Sequence, residues 1–384
     1  MIRIHIPGFA KNQSGGPRFG DGTIMEILED TYTAVLVIDG YCGVGTTKLI
    51  AYLKSRGIKD PYLFISHAHY DHYKGIREII RDGYFKPRKL YLYNPDSLNA
   101  SYSKAVRDEI KAMKAIIAEA KERGIPVVYL SNKQTLRFGK IRMVTYRSQP
   151  SDADCTDSLI NDGSLCFWFP ELRYLTTGDA GMWCVQRYNL SPIFVKGGHH
   201  GNDMSGDDKK PSQMCVWMYK RGCLYYWDND ISGNYTQFLM TGREDAINAG
   251  MKYFSCIGDL NAVFQGGTAS IFKDGAAYRY SCTYTDKTNA LKGANATVTR
   301  LVMRGRYDNS NTRMTALITE GYDPVKVQDK VNKVIATAKG IKSGSLNYGK
   351  NEARIAKIDS LLGKGYGQLV QDYINVLYGI KKEV

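Results

Sequence analysis

Short apolar runs alternate with turns of glycine, asparagine and aspartate from residue 1 to about 283. "TAVLVIDG" (33–40), "YLFISH" (62–67), "KLYLYN" (89–94) and "PVVYLS" (126–131) each read as a buried strand ending in polar residues, and so do "IRMVTY" (141–146), "SLCFWFP" (164–170), "RYLTTGD" (173–179) and "IFVKGGHH" (193–200). Between some of these runs the period changes to that of a helix. "TTKLIAYLKSRG" (46–57) gathers Leu49, Ile50 and Leu53 on one side, with Gly57 as its stop. "SKAVRDEIKAMKAIIAEAKERG" (103–124) repeats Val106, Ile110, Met113 and Ile117 at helical spacing. Strands followed by helices predict an α/β layered fold whose chemistry sits on loops at the strand ends.

The pattern breaks near "YTDKTNALKGANAT" (284–297), where small polar residues replace the apolar runs and a linker is expected. Beyond it the chain reads as helical and lysine-rich, without cysteine, histidine or tryptophan. It also repeats itself. "RYDNSNTRMTALITEGYDPVKVQDKVN" (306–332) parallels "NYGKNEARIAKIDSLLGKGYGQLVQDYIN" (347–375), with Arg313 matched by Arg354 and Gln328 and Asn332 by Gln371 and Asn375. In the first copy Gly321 ends one helix, Asp323 caps the next with Pro324 at its first position, and Val327, Val331 and Val334 form a stripe. A period near 40 residues predicts two tandem modules, 298–332 and 333–384, each a small three-helix unit.

Composition narrows the class. The 384 residues are 43% hydrophobic and 23% charged, an ordinary globular balance, and no apolar run reaches the length of a membrane span. The start, "MIRIHIPGFAKNQSGGPRFG", lacks the apolar core and cleavage site of a secretory signal. A net charge of +14 favours polyanionic partners, such as nucleic acid, wall polymers or an anionic membrane face. The eight cysteines include no Cys-x-x-Cys pair, and several lie in strand-like runs, so most read as reduced core residues; their even number leaves disulfides open.

The candidate chemistry lies in "HAHYDH". His67, His69, Asp71 and His72 follow directly on an apolar strand, and three of the six histidines of the chain are spent there. Imidazole and carboxylate together suit zinc, manganese or iron. A tight loop after a strand would turn His67 and His69 one way and Asp71 and His72 another, which allows one or two ions.

This spacing resembles the His-x-His-x-Asp-His motif of the metallo-β-lactamase superfamily, and further motifs match in order. "VLVIDG" resembles the early strand whose aspartate, here Asp39, supports the metal loop from behind. "YLTTGDAG" resembles the later strand ending in Gly-Asp, and "IFVKGGHHGN" the last ligand-bearing strand. The resemblance implies an αββα sandwich over residues 1–283, Asp179 as a bridging ligand, and His199 or His200 as a further ligand. Asn161 to Leu165, Gly178-Asp179 and Lys196 to Gly201 are similar to the hydrolase domain of the ComEC/Rec2 subgroup. No histidine lies between His72 and His199, where the superfamily usually supplies one; Asp152, Asp154, Asp157 and Asp162 are the substitutes at hand. Lys74 also stands where glycine is common.

Hydrolysis of a phosphorus or carbonyl centre by a metal-acidified water is implied, with zinc or manganese as cofactor. Asp71 would orient the nucleophile, and Lys196, Tyr70 or Tyr73 would steady an anionic substrate. The tail resembles Cpl-7-type cell-wall-binding repeats of lysins. That implies a peptidoglycan muropeptide or teichoic acid partner, held by Arg313, Gln328, Asn332, Arg354, Gln371 and Asn375, with Tyr322 and Tyr366 as packing residues. The leading expectation is a hydrolase targeted to the bacterial wall, extracellular or wall-associated, phage-encoded and released at lysis. It would act on a phosphodiester of the teichoic-acid or phosphorylcholine type, or on a wall ester or amide. The alternatives are a metal-dependent nuclease and a wall-binding protein with a degenerate metal site.

Overall fold

The computed structural model describes residues 1–8, 20–97, 104–148, 159–197, 213–227, 246–254, 256–285, 291–306, 313, 316–318 and 320–383. The chain forms two compact units, residues 1–271 with 279–288, and 272–278 with 289–384.

The strands are β1 (Ile2–Ile6), β2 (Gly22–Leu28), β3 (Thr33–Gly40), β4 (Tyr62–Phe64), β5 (Lys89–Leu92), β6 (Val127–Tyr129), β7 (Thr135–Phe138) and β8 (Ile141–Tyr146). They continue as β9 (Cys166–Phe169), β10 (Tyr174–Thr176), β11 (Phe194–Lys196), β12 (Tyr225–Trp227), β13 (Lys252–Phe254), β14 (Leu260–Gln265), β15 (Thr268–Lys273) and β16 (Ala276–Ser281). The helices of the first unit are α1 (Gly43–Ser55), α2 (Tyr70–Arg81), α3 (Lys104–Glu122), α4 (Leu159–Asp162), α5 (Met182–Gln186) and α6 (Gln213–Lys220).

One sheet runs β16-β15-β14-β1-β2-β3-β4-β5-β6 and the other β13-β12-β11-β10-β9-β8-β7. Both pass from antiparallel to parallel pairing: β3, β4, β5 and β6 run parallel, as do β10, β11, β12 and β13. Burial follows that change. "TAVLVIDG" is covered on both faces for most of its length, the pattern of a central strand, whereas "IRMVTY" alternates strictly between buried and half-buried. The sheets pack face to face through aromatic contacts such as Phe64 on Phe167, edge to face at 5.7 Å.

Helices cover the outer faces. α2 buries His72, Tyr73, Ile76, Ile79 and Ile80 along one side. Cys184 of α5 and Cys215 and Met218 of α6 pack with Cys166, Leu175, Val195 and Cys223 in one apolar cluster of the second sheet. The result is an αββα sandwich, as expected from the sequence. Gly57, at φ 68°, closes α1 after Arg56. Tyr284, at the start of the expected linker, is buried and donates to Glu29 Oε1 at 3.2 Å, so the first unit continues through it.

The second unit contains α7 (Ala296–Met303), α8 (Pro324–Lys342), α9 (Asn351–Leu362) and α10 (Tyr366–Leu377). Asp323 Oδ1 accepts from the N–H groups of Val325 and Lys326 at 3.0 and 3.2 Å and caps α8. Val327 and Val331 of α8 pack with Val298, Val302 and Leu317, while Val334 and Ala338 pack with Ile358, Leu369, Val370 and Ile374. One helix of 19 residues thus supplies both cores, and the sequence boundary at 332/333 falls inside it. Among the described residues no helix is long and apolar enough to cross a membrane.

Candidate metal centre

Parallel strands place their C-terminal ends, and the loops that follow them, on one edge of the sandwich. Asp39 is the penultimate residue of β3, His67 lies just beyond β4, Asp179 just beyond β10, and Lys196 ends β11.

The loop after β4 is fixed by hydrogen bonds of the chain itself. Asp39 adopts a φ of 57°, a left-handed conformation that aspartate tolerates better than most residues. Its carboxylate accepts from Ser66 N at 2.8 Å and from Ser66 Oγ at 2.7 Å. Ser66 O in turn accepts from Leu165 N at 2.9 Å, which ties the loop to the second sheet. Gly178, at φ 53°, lets the turn before Asp179 come down on Ser66; a Cβ there would lie 2.9 Å from the Ser66 Cβ. The N–H of Asp179 then meets Ser164 Oγ at 3.3 Å.

His67, His72 and Asp179 converge, all buried, with one ligand atom from each within 4.8 Å of the others. His67 Nε2 lies 3.5 Å from Asp179 Oδ2, and His72 Nε2 lies 3.2 Å from Asp179 Oδ1. His72 Nδ1 sits 3.0 Å from Asp39 Oδ2, so an N–H on Nδ1 is held by Asp39 and Nε2 is left facing Asp179. The two pairs expected to face apart do not. α2 begins at Tyr70, and side chains in a helix lean back toward its N-terminus, which brings the His72 ring to 4.0 Å from that of His67.

Burial and neighbouring charge separate the two imidazoles. Burial, reinforced by His72, holds the His67 pKa well below its ordinary value. Burial opposes charge on His72 as well, but the Asp179 and Asp39 carboxylates outweigh it and hold that pKa well above ordinary. His72 Nε2 is nevertheless a buried atom without an aligned hydrogen-bond partner, despite its 3.2 Å approach to Asp179. Two buried imidazole nitrogens, one of them without an aligned partner, and a carboxylate are the donor set of a divalent transition metal. The residues fit such an ion.

The other sequence candidates are placed differently. His69 occupies the position before α2, with Nδ1 3.1 Å from His67 Nε2, and stands outside the converging triad. Asp71 is half-buried in the first turn of α2, and its backbone oxygen accepts from Asp21 N at 3.1 Å. Lys196 is not presented to a substrate: its side chain is 2% exposed and its ammonium is held by Asp21 Oδ1 between the sheets. Burial raises the Asp21 pKa, and Lys196 opposes that rise. Tyr70 is exposed and Tyr73 buried. His199, His200, Asp152, Asp154 and Asp157 lie outside the described residues.

Asp21 and Ser66 were not anticipated from sequence. Asp21 sits between two glycines ahead of β2, a short polar spot without periodicity, and its partner lies 175 positions away. Ser66 stood in view beside the histidines, but a serine there carries no sign of its own.

In the second unit Arg313 Nη1 donates to Gln328 Oε1 at 3.0 Å, and Gln328 Nε2 to Asn332 Oδ1 at 2.9 Å. Arg354 Nη1 donates to Gln371 Oε1 and Gln371 Nε2 to Asn375 Oδ1, both at 3.2 Å. The same relay is built twice.

No model of a known protein family matches the sequence, and no curated protein does. Solved structures do match. The metallo-β-lactamase fold protein YhfI from Bacillus subtilis is 10% identical; the match covers 66% of this chain and 95% of YhfI, with a TM-score of 0.41. A diphosphatase of the PhnP family is 11% identical over 67% of this chain and 97% of its own, at a TM-score of 0.36. A metallo-β-lactamase from Pontibacter korlensis is 16% identical over 51% and 86%, at 0.32.

Proposed function

We propose that this protein is a metal-dependent hydrolase of the ComEC/Rec2-like type, acting on a phosphodiester in bacterial wall polymers and held there by its C-terminal helical unit. The observation that carries the hydrolase reading is the convergence of His67, His72 and Asp179 around the unsatisfied Nε2 of His72. His67, His72 and Asp179 would hold zinc or manganese, with Asp71 and His69 at its rim. Bound there, the ion supplies Lewis acidity and acidifies a water. The chain itself supplies orientation. Asp39 fixes the His72 ring and, through Ser66, the loop that carries His67. Asp21 and Lys196 form a buried ion pair beside it, and Asp21 N also grips the backbone of Asp71.

The wall-targeting part rests on the repeated Arg-Gln-Asn relays and their Cpl-7-type resemblance. In each relay the glutamine fixes one guanidinium nitrogen, which orients the planar fork for a carboxylate of a wall peptide. A nuclease is the second reading, favoured by the net charge of +14.

The test is hydrolysis of bis(p-nitrophenyl) phosphate by protein loaded with zinc or manganese, beside His72→Ala and Asp179→Ala. Turnover lost in both variants supports the reading; turnover equal to wild type in either sinks it. Sedimentation with purified walls, against retention on DNA at moderate salt, separates the two partners.

A further inference from the structure

Arg147 follows β8 and is 6% exposed. Its Nε donates to Gly163 O at 2.7 Å and its Nη1 to Ser97 Oγ at 2.9 Å, whereas Nη2 is buried with no partner. Arg56, Arg77 and Arg142 are each paired with a carboxylate. Arg147 meets only neutral oxygens, and burial accordingly lowers the pKa of its guanidinium. A buried cation satisfied by neutral groups at two nitrogens and unpartnered at the third calls for an anion.

A second donor lies under it. The guanidinium carbon of Arg147 is 4.1 Å from the ring centroid of Tyr93, which is fully buried and whose hydroxyl has no aligned hydrogen-bond partner. Tyr93 directly follows β5, the neighbour of the strand that leads into His67; burial raises the pKa of its hydroxyl, and the Ala68 backbone of the metal loop lies close enough to oppose that rise. The third unpartnered atom nearby is Glu109 Oε2; its carboxyl is pushed up to about 7 by burial and by the Asp71 carboxylate. Gly163, held by Arg147, immediately precedes the serine that meets Asp179 N, so this site and the metal centre share a wall.

We propose that Arg147 Nη2 and the Tyr93 hydroxyl form an oxyanion subsite beside the metal loop, which takes a phosphate-type oxygen of the substrate. This deepens the phosphodiesterase reading and rests on it for the word substrate; the subsite itself is tested without turnover. The two groups act by binding and positioning, since a charge-assisted hydrogen bond from a buried guanidinium fixes where an anion can sit.

The experiment is calorimetric titration of chelator-stripped full-length protein with inorganic phosphate. The expected result is saturable binding that survives in Asp179→Asn, weakens about tenfold or more in Arg147→Met and weakens measurably in Tyr93→Phe. Tyr93→Phe removes only a hydroxyl without an aligned partner and keeps the buried ring; with its fold checked by circular dichroism, its result stands even where Arg147→Met fails to fold. In metal-loaded protein phosphate must also compete with the chromogenic diester, which separates a substrate subsite from a site for a free ion. Absence of saturable binding, equal affinity in Tyr93→Phe and Arg147→Met, or phosphate that binds without competing overturns the proposal. Binding without any diester turnover keeps the anion site and sinks the hydrolase reading instead.

Discussion

His72 Nδ1 lies 3.0 Å from Asp39 Oδ2, and the same carboxylate accepts from both the N–H and the hydroxyl of Ser66. One side chain thereby orients a candidate ligand and braces the loop that carries another. Such partners behind a metal ligand are commonly worth about tenfold to a hundredfold in affinity. Asp39→Asn keeps the shape but offers only one accepting atom, so zinc affinity should fall by about that factor in a chelator competition. Affinity equal to wild type would mean that Asp39 only supports the loop.

The approach of α2 to β3 depends on two glycines. A Cβ on Gly75 would overlap the carbonyl of Gly40, and one on Gly40 would overlap the backbone at Gly75 and Ile76. Gly75→Ala should therefore displace the helix that carries Asp71 and His72 and cost about 1–3 kcal/mol in urea unfolding. An unchanged unfolding midpoint would show that the contact can relax.

Glu119 of α3 bridges Arg77 and Arg81 of α2. Its hydrogen bonds to Arg77, opposed by burial and helped by Arg81, lower its pKa from 4.5 to about 2. The folded state therefore binds fewer protons than the unfolded one between these values, and the stabilisation is complete above the upper value. It is lost as pH falls from 4.5 toward about 2. The stability gap between wild type and Glu119→Gln should be full at neutral pH and close across that window in denaturant titrations. A gap independent of pH would contradict the assignment.

The two relays of the C-terminal unit make a prediction about avidity. Arg313→Ala and Arg354→Ala should each weaken sedimentation with purified walls, and the double variant should weaken it more than either, with helical circular dichroism unchanged. Undiminished sedimentation of the double variant would remove these arginines from wall recognition.

Much of this architecture was legible because it is written in short continuous runs. "TAVLVIDG" and "KLYLYN" declare central strands by apolar density alone, and "HAHYDH" declares a site by concentrating ligands at a strand end. What stayed hidden depends on contact across the chain. Nothing local in Lys196 predicts burial against Asp21, and nothing in Arg147 predicts a place beside Tyr93. The shared helix escaped for the opposite reason. The stripe Val327, Val331 and Val334 runs through the repeat boundary without a break, and only its packing partners change there. The sense of the His67–His72 pairing depended on where α2 begins, a one-turn detail that periodicity does not fix.

The claim on which the rest depends is that His67, His72 and Asp179 hold a divalent ion. The measurement is equilibrium titration of chelator-stripped protein with zinc and with manganese, beside His72→Ala and Asp179→Ala, with folding of each variant checked by circular dichroism. The account predicts saturable binding of at least one ion to the wild type, lost or weakened by orders of magnitude in both variants. A folded wild type that binds neither metal, or variants that bind as tightly as wild type, would contradict it.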